Sequence, residues 1–279
     1  MWTEFKNALR RSRGAILGWG LSLGGLGFFM MGFYDTLEEQ REMLEQLIAQ
    51  YPPELMAFFG GTENIFSPAG YLSMEFFSLM PVVLGIYAVL AGSSLIVGDE
   101  EGGLLDLVMA YPISRTSLFA GRLLSFAVSL AAILGISWLA FVGGIGTTSM
   151  EVAAGELLLP FFSLYAVLFL FGAISLFFSM ALPSRGMAAM AGGVIMVASY
   201  FIQSLATINE NLEKAASYLP LKYYQSGYAI EGLNGNWLLG LLGFGVLFAG
   251  AAWLLFLRRD IRVSGEGSWR LPVFSKTKS

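Results

Sequence analysis

Three consecutive carboxylates, Asp99, Glu100 and Glu101, stand just after a long apolar run and precede the glycine pair Gly102-Gly103. Carboxylates are favoured at a helix N-terminus, where free amides and the positive end of the helix dipole stabilise negative charge. The acids therefore predict the start of a short helix. Their chemistry is ion pairing and recognition.

A short amphipathic helix is predicted after these acids. Four apolar residues fall at positions i, i+3, i+4 and i+7 of one helical face: Leu104, Leu107, Val108 and Tyr111. Pro112 would end this helix, and Ser114 can cap a second helix that continues into the next apolar run. The segment could be a lever that a soluble partner grips or a hairpin that only packs on lipid, and the residues alone leave both open.

Several kinds of catalysis are excluded by what the chain lacks. It contains no histidine and no cysteine, which removes the usual proton shuttle, thiolate chemistry and most zinc sites. No G-x-x-x-x-G-K-[ST] phosphate loop occurs. Glu75 and Glu156 lie near the outer ends of apolar runs, where an interfacial carboxylate is favoured over an ion site. We expect no catalytic or nucleotide site here, and the uncharged apolar runs disfavour a secondary carrier.

The elements that must position the acidic segment are membrane helices. The chain is 56% hydrophobic and 13% charged, whereas soluble domains carry about 25% charged residues. Six windows without Asp, Glu, Lys or Arg are each long enough to cross a bilayer: 14–34, 76–98, 123–150, 157–184, 186–209 and 232–257. The fold class predicted is an all-α integral membrane protein with six transmembrane helices.

The distribution of Lys and Arg predicts the orientation. If both termini are cytoplasmic, only Arg41, Lys214 and Lys222 of the 16 Lys and Arg residues lie outside. This asymmetry follows the positive-inside rule. The acidic segment within 98–122 is then cytoplasmic.

We expect one transmembrane domain over 1–279, without a second domain. An amphipathic N-terminal helix is predicted at 1–13, an external amphipathic segment at 35–70, a cytoplasmic segment at 98–122 and a flexible tail at 263–279. The N-terminal helix places Phe5 and Leu9 near one face and Arg10 on another. It could anchor the chain on anionic lipid or also touch a cytoplasmic partner.

Two features of the spans concern packing. The first span carries Gly14, Gly18, Gly20 and Gly24, and such small residues allow helices to approach closely. Contacts within the chain are favoured over a dimer seam. Pro81 predicts a kink in the second span.

The stretch 98–115 reads GDEEGGLLDLVMAYPISR. It resembles the motif E-E-x-G-T-L-x-x-L-L-x-x-P-V-S-R of permease subunits of the type-2 ATP-binding-cassette exporters. LRRSR at 9–13, LPLKYY at 219–224 and FLRRDI at 256–261 are also similar to segments of that family, so the matches span nearly the whole chain. The departure is Gly103, where the family usually has threonine.

The resemblance implies that 98–115 is a coupling helix for a separate ATPase. The residues it assigns to coupling are Asp99, Glu100, Glu101, Gly102, Leu104, Asp106, Leu107, Val108, Tyr111, Pro112, Ser114 and Arg115. Phe5, Leu9 and Arg10 are candidate contacts of the N-terminal elbow helix. No metal site is expected, and the residues of the substrate path stay unknown.

The implied assembly contains two copies of an ABC ATPase and a second permease subunit, identical or related, in a bacterial or archaeal cytoplasmic membrane. ATP and Mg²⁺ would bind to the ATPase, with no cofactor on this chain and no nucleic acid among its partners, which include membrane lipids. The expected cargo is a lipid, antibiotic or drug-like amphiphile. The alternative is a non-transporting scaffold or sensor that recruits a soluble protein through 98–122.

Overall fold

The computed structural model describes residues 1–48, 50–52, 66–111, 113–206 and 210–258, and every regular element in these ranges is helical. In chain order the α-helices are α1 (Trp2–Arg11), α2 (Arg13–Met31), α3 (Tyr34–Glu39), α4 (Arg41–Ile48), α5 (Pro68–Leu72), α6 (Met80–Ser94), α7 (Val97–Glu101), α8 (Leu105–Met109), α9 (Arg115–Ile145), α10 (Ala154–Ala181), α11 (Arg185–Leu205), α12 (Glu210–Ala216) and α13 (Gly235–Arg258). A π-helical turn (Ser73–Phe77) and two 3-10 turns (Pro220–Tyr223 and Gly227–Glu231) complete the elements.

Five of the described helical segments are long and apolar enough to cross a membrane: Arg13–Glu39, Arg115–Ile145, Ala154–Ala181, Arg185–Leu205 and Gly235–Arg258. A bent pair, Pro68–Phe77 with Met80–Ser94, gives a sixth candidate if the two helices form one span. The prediction of an all-helical membrane protein is therefore confirmed, with five to six candidate spans for the six expected.

The break in the second span lies where the sequence contains Pro81. The two halves meet at 42°, and Pro81 occupies the first turn of α6. Proline has no amide proton and its ring crowds the preceding turn, so the helix cannot continue regularly through it. The bend agrees with the predicted kink.

The segment predicted at 35–70 begins with two short helices, α3 and α4, which are separated at Gln40. Residues 49 and 53–65 of this segment lie outside the described residues, as does the predicted tail.

The centre of the bundle is α10. Within its most apolar 18-residue window, 78% is buried, and α6, α9, α11 and α13 pack around it. Near its N-terminal end, Phe76, Phe77, Phe141 and Phe161 interlock with ring centroids 4.8–6.4 Å apart. Edge-to-face contacts of this kind add to the packing energy of the core.

Helices α2 and α9 pack closely along their length. A Cβ at Gly20 would lie 3.0 Å from Ile136, and one at Gly24 would lie 3.0 Å from Ala140. The prediction of contacts within the chain holds at these two positions, whereas nothing lies within 4 Å of a Cβ at Gly14 or Gly18. Beyond the C-terminal end of this helix pair, Asp35 accepts hydrogen bonds of 2.6–2.9 Å from Thr148 and Ser149.

The crossing of α6 and α10 gives a test of this packing. A methyl group at Gly92 would collide with the backbone carbonyl of Gly172, so Gly92→Ala should destabilise the protein by about 1–3 kcal/mol. The apparent melting temperature in detergent should fall. Gly135→Ala is the matched control, because nothing lies within 4 Å of its Cβ and alanine is the better helix former. Equal melting temperatures for both variants would contradict the close crossing.

Candidate functional site

One end of the bundle collects most of the described basic side chains. The described residues at this end, here called the basic end, are Lys6, Arg10, Arg11, Arg13, Arg115, Arg122, Arg185 and Arg258. Contacts between distant elements define it. Arg115 Nη1 donates to the carbonyl oxygen of Phe256 at 3.1 Å, and the backbone amide of Arg185 donates to Glu101 Oε1 at 2.8 Å.

Asp99 lies between two arginines at this end. Arg11 Nη1 donates to both carboxylate oxygens, at 3.1 and 2.9 Å. Arg122 Nη2 donates to Asp99 Oδ2 at 2.6 Å, and Arg122 Nη1 donates to the carbonyl oxygen of Leu95 at 3.0 Å. Arg122 is 5% exposed. Its charge needs a partner in that position, and Asp99 supplies one.

The neighbouring acids, Glu100 and Glu101, also take part in the packing of this chain. Glu101 pairs with Arg185, with 4.0 Å between Oε2 and Nε, and Glu100 is buried. Through these contacts the acidic residues connect α7 to other helices of the same chain.

The acids do not start the helix that carries the apolar stripe, which differs from the expectation. They belong to α7, and Gly102-Gly103 separates them from α8. Gly103 has φ of +67°, a conformation that glycine adopts without steric cost. Helix α7 ends here, and the amide of Leu104 donates to the carbonyl oxygen of Asp99 at 2.8 Å.

Helix α8 has one buried anchor, and exposed apolar side chains lie on it and just after it. Leu105 is 1% exposed and packs in a small core with Phe119 and Phe256. Leu107 is 64% exposed and Tyr111 is 70% exposed. The anchor fixes the helix, so the exposed side chains keep a defined direction.

The predicted stripe forms one wall of a groove of about 510 Å³. This wall, here called the apolar wall, consists of Leu104, Leu107, Val108, Tyr111 and Ile113. The opposite wall comes from the N-terminal helix α1 and is mostly polar; it consists of Met1, Thr3, Glu4, Asn7 and Arg11. The apolar wall is therefore exposed along this groove, where its side chains are accessible to another protein.

Helix α1 crosses the start of α9 at Gly121. A Cβ at Gly121 would lie 2.8 Å from the carbonyl oxygen of Met1, so only glycine allows this approach. Of the predicted elbow contacts, Phe5 is buried, Leu9 is half-buried and Arg10 is exposed. Phe5 therefore fixes α1 to the bundle, and Arg10 is accessible to lipid or to a partner.

The remaining predicted coupling residues have separate places. Ser114 caps α9 as expected, because its hydroxyl accepts from the amide of Ser117 at 3.2 Å. Arg115 lies over the ring of Phe256, 5.8 Å from the centroid. Pro112 and the side chain of Asp106 lie outside the described part of the chain.

Three residues of this site were missed in the list of coupling residues. Arg11 and Arg122 entered the sequence analysis only as positive charges that predict the membrane orientation. A cation near a predicted acidic group is also a candidate ion-pair partner of that group. Leu105 follows Leu104 of the stripe in the sequence. On a helix it points away from Leu107, which explains why it is buried while Leu107 is exposed.

Most of the chain matches a known protein family. The model of the ABC-2 family transporter proteins matches residues 1–261. The chain belongs to the ABC-2 transporter family. Among curated proteins, it is 33% identical over 115 residues to a Pseudomonas aeruginosa protein named "Probable ABC transporter permease protein NosY". The match covers 39% of each chain, so the chain spans less than half the length of this relative.

Family membership confirms the resemblance read from 98–115. This ABC-2 chain is a transmembrane subunit of an ABC transporter. With its apolar helices it is a multi-pass protein of the cytoplasmic membrane of a prokaryote. The role of each coupling residue stays a prediction.

Proposed function

We propose that this chain is the permease subunit of an ATP-driven exporter that moves a hydrophobic or amphiphilic cargo. The observation that carries the proposal is the apolar wall at the basic end. Leu104, Leu107 and Tyr111 are each more than 40% exposed, yet they belong to a segment anchored by Leu105 and tied by Asp99. Exposed apolar side chains held in fixed positions mark an interaction site.

The proposed partner is a separately encoded ABC ATPase, present in two copies that bind ATP and Mg²⁺. Family membership supports an ATPase partner. The positive-inside rule supports a cytoplasmic position for the basic end, which is where ATP is available. The ATPase would seat the apolar wall in a groove of its own and move it as ATP binds and is hydrolysed.

A second permease subunit, identical or related, would complete the transport path. Two copies of the ATPase need two binding surfaces of this kind, one on each permease subunit. Closed two-fold assemblies are also the commonest oligomers. An amphiphilic cargo fits the exposed apolar faces of the spans, such as that of α11, where Met190 is 71% exposed. A lipid, an antibiotic or another drug-like molecule belongs to this class.

Reconstitution tests the function. The chain would be co-expressed with the ABC ATPase encoded by a neighbouring gene and placed in vesicles with ATP outside. The probes are a fluorescent phospholipid and a lipophilic cationic dye. We expect the chain to stimulate ATP hydrolysis by roughly tenfold and ATP to drive a probe to the inner leaflet or lumen. Movement toward the ATP side would contradict export.

The scaffold hypothesis predicts a different result. The ATPase would bind, but neither probe would move with ATP. Failure of the ATPase to bind to the intact chain would contradict the proposed coupling itself.

A further inference from the structure

The ion cluster of Asp99, Arg11 and Arg122 connects three parts of the chain. Asp99 belongs to α7, Arg11 ends α1, and Arg122 lies within α9. The bonds are charge-assisted, and the bond from Arg122 measures 2.6 Å. Exposed ion pairs are weak and screened, but the Arg122 side chain is only 6% exposed. Screening by salt is small at such a position.

The three parts are already packed against one another. Helix α1 crosses α9 at Gly121, and α2 packs along α9 through Gly20 and Gly24. At the far end of the same pair, Asp35 bonds to Thr148 and Ser149. The first and third spans are thus joined along their length, and the cluster adds the segment 97–111 to them.

We propose that Asp99 and Arg122 are positioning residues that fasten the segment 97–111 to α1, α2 and α9. A displacement of this segment then moves the first and third spans as one body relative to α11. The source of the displacement rests on the proposed function, whereas the fastening itself does not. Arginine is suited to the role, because one guanidinium bonds to Asp99 and to the carbonyl of Leu95 together.

Spin-label distances test the fastening without any partner. The chain has no cysteine, so Lys6→Cys and Ala110→Cys, both at exposed positions, give one labelled pair in lipid nanodiscs. We expect a narrow distance distribution, broadened by about twofold or more in Asp99→Asn/Arg122→Gln. This double variant removes both charges, so neither is left buried and unpaired. An unchanged width would overturn the proposal.

Two further variants keep this result interpretable. Asp99→Glu retains the carboxylate and should retain the narrow distribution. If the double variant does not fold, Arg122→Lys replaces it, because an ammonium keeps the charge but cannot bond to both partners in the same way. Glu151→Gln removes an exposed carboxylate at the other end of the bundle and should change nothing.

The transfer of motion is measured with the partner ATPase bound, with and without ATP and vanadate. Gly186→Cys, at an open position, is paired with Ala110→Cys to follow the segment or with Leu124→Cys to follow the third span. Both distances should change. In the double variant, nucleotide should still change the distance between the labels at 186 and 110. The change in the distance between the labels at 186 and 124 should become about threefold smaller or more.

If nucleotide changes the distance between the labels at 186 and 124 equally in the double variant, motion is not transferred through the ion cluster. If nucleotide changes neither distance in the wild type, the proposed function fails, and the distribution width without partner still decides the fastening.

Discussion

Leu107→Asp should strongly weaken ATPase binding while the permease still folds. Leu107 is 64% exposed on the apolar wall, so an aspartate there meets water in the free subunit. In the complex the same carboxylate would be buried in an apolar contact, which is costly without a partner. Central interface residues of this kind contribute about 2–4 kcal/mol, so affinity should fall by roughly 30-fold to 1000-fold.

The measurement is the dissociation constant of the purified ATPase for the permease in nanodiscs, together with the apparent melting temperature. Tyr218→Asp is the matched control, because Tyr218 is 91% exposed and lies in the segment between α11 and α13, far from the basic end. It should bind the ATPase like the wild type. Equal affinities for both variants would show that the apolar wall is not the docking surface.

Leu105→Ala should loosen the apolar wall without changing its surface. Leu105 is 1% exposed, and its loss leaves a cavity that costs about 2–4 kcal/mol. A helix of five residues has no stability of its own, so the cost falls on the local opening of α8. The exchange of the Val108 amide, which donates to the carbonyl oxygen of Leu104, should accelerate by roughly 30-fold or more.

Hydrogen exchange with mass spectrometry resolves this segment, and stimulation of the ATPase should fall in parallel. Leu104→Ala is the comparison, because the neighbouring side chain is 44% exposed and its loss leaves no cavity. Its effect on exchange should stay below about threefold. Similar exchange in the two variants would mean that Leu105 does not hold the segment.

The spans were predictable because lipid imposes one simple rule. A backbone in hydrocarbon must satisfy its own hydrogen bonds, so charge-free windows become helices whatever their neighbours are. The break before Pro81 was predicted from proline itself, which has no amide proton to donate. The separation of α3 from α4 at Gln40 was not predicted, because water competes for backbone hydrogen bonds outside the bilayer and apolar spacing alone does not decide whether a helix continues.

The site was predictable in its surface and less so in its interior. The stripe of Leu104, Leu107, Val108 and Tyr111 was found from helical spacing, and the structure places it along one groove. The pairing of Asp99 with Arg122 depends on how two spans meet in space, which spacing along the chain does not contain. The sequence shows the glycine pair, but its effect, a helix end that separates the acids from the stripe, follows only from the backbone angles.

The deep burial of α10 also bears on the order in which the protein can be assembled. A chain made from its N-terminus inserts α10 before α11 and α13, two of the helices that cover it. Until they arrive, the fully buried hydroxyls of Ser163, Ser175 and Ser179 face lipid or a chaperone. Helix α13 therefore closes this side of α10, and the core around α10 stays incomplete until that helix has entered the membrane.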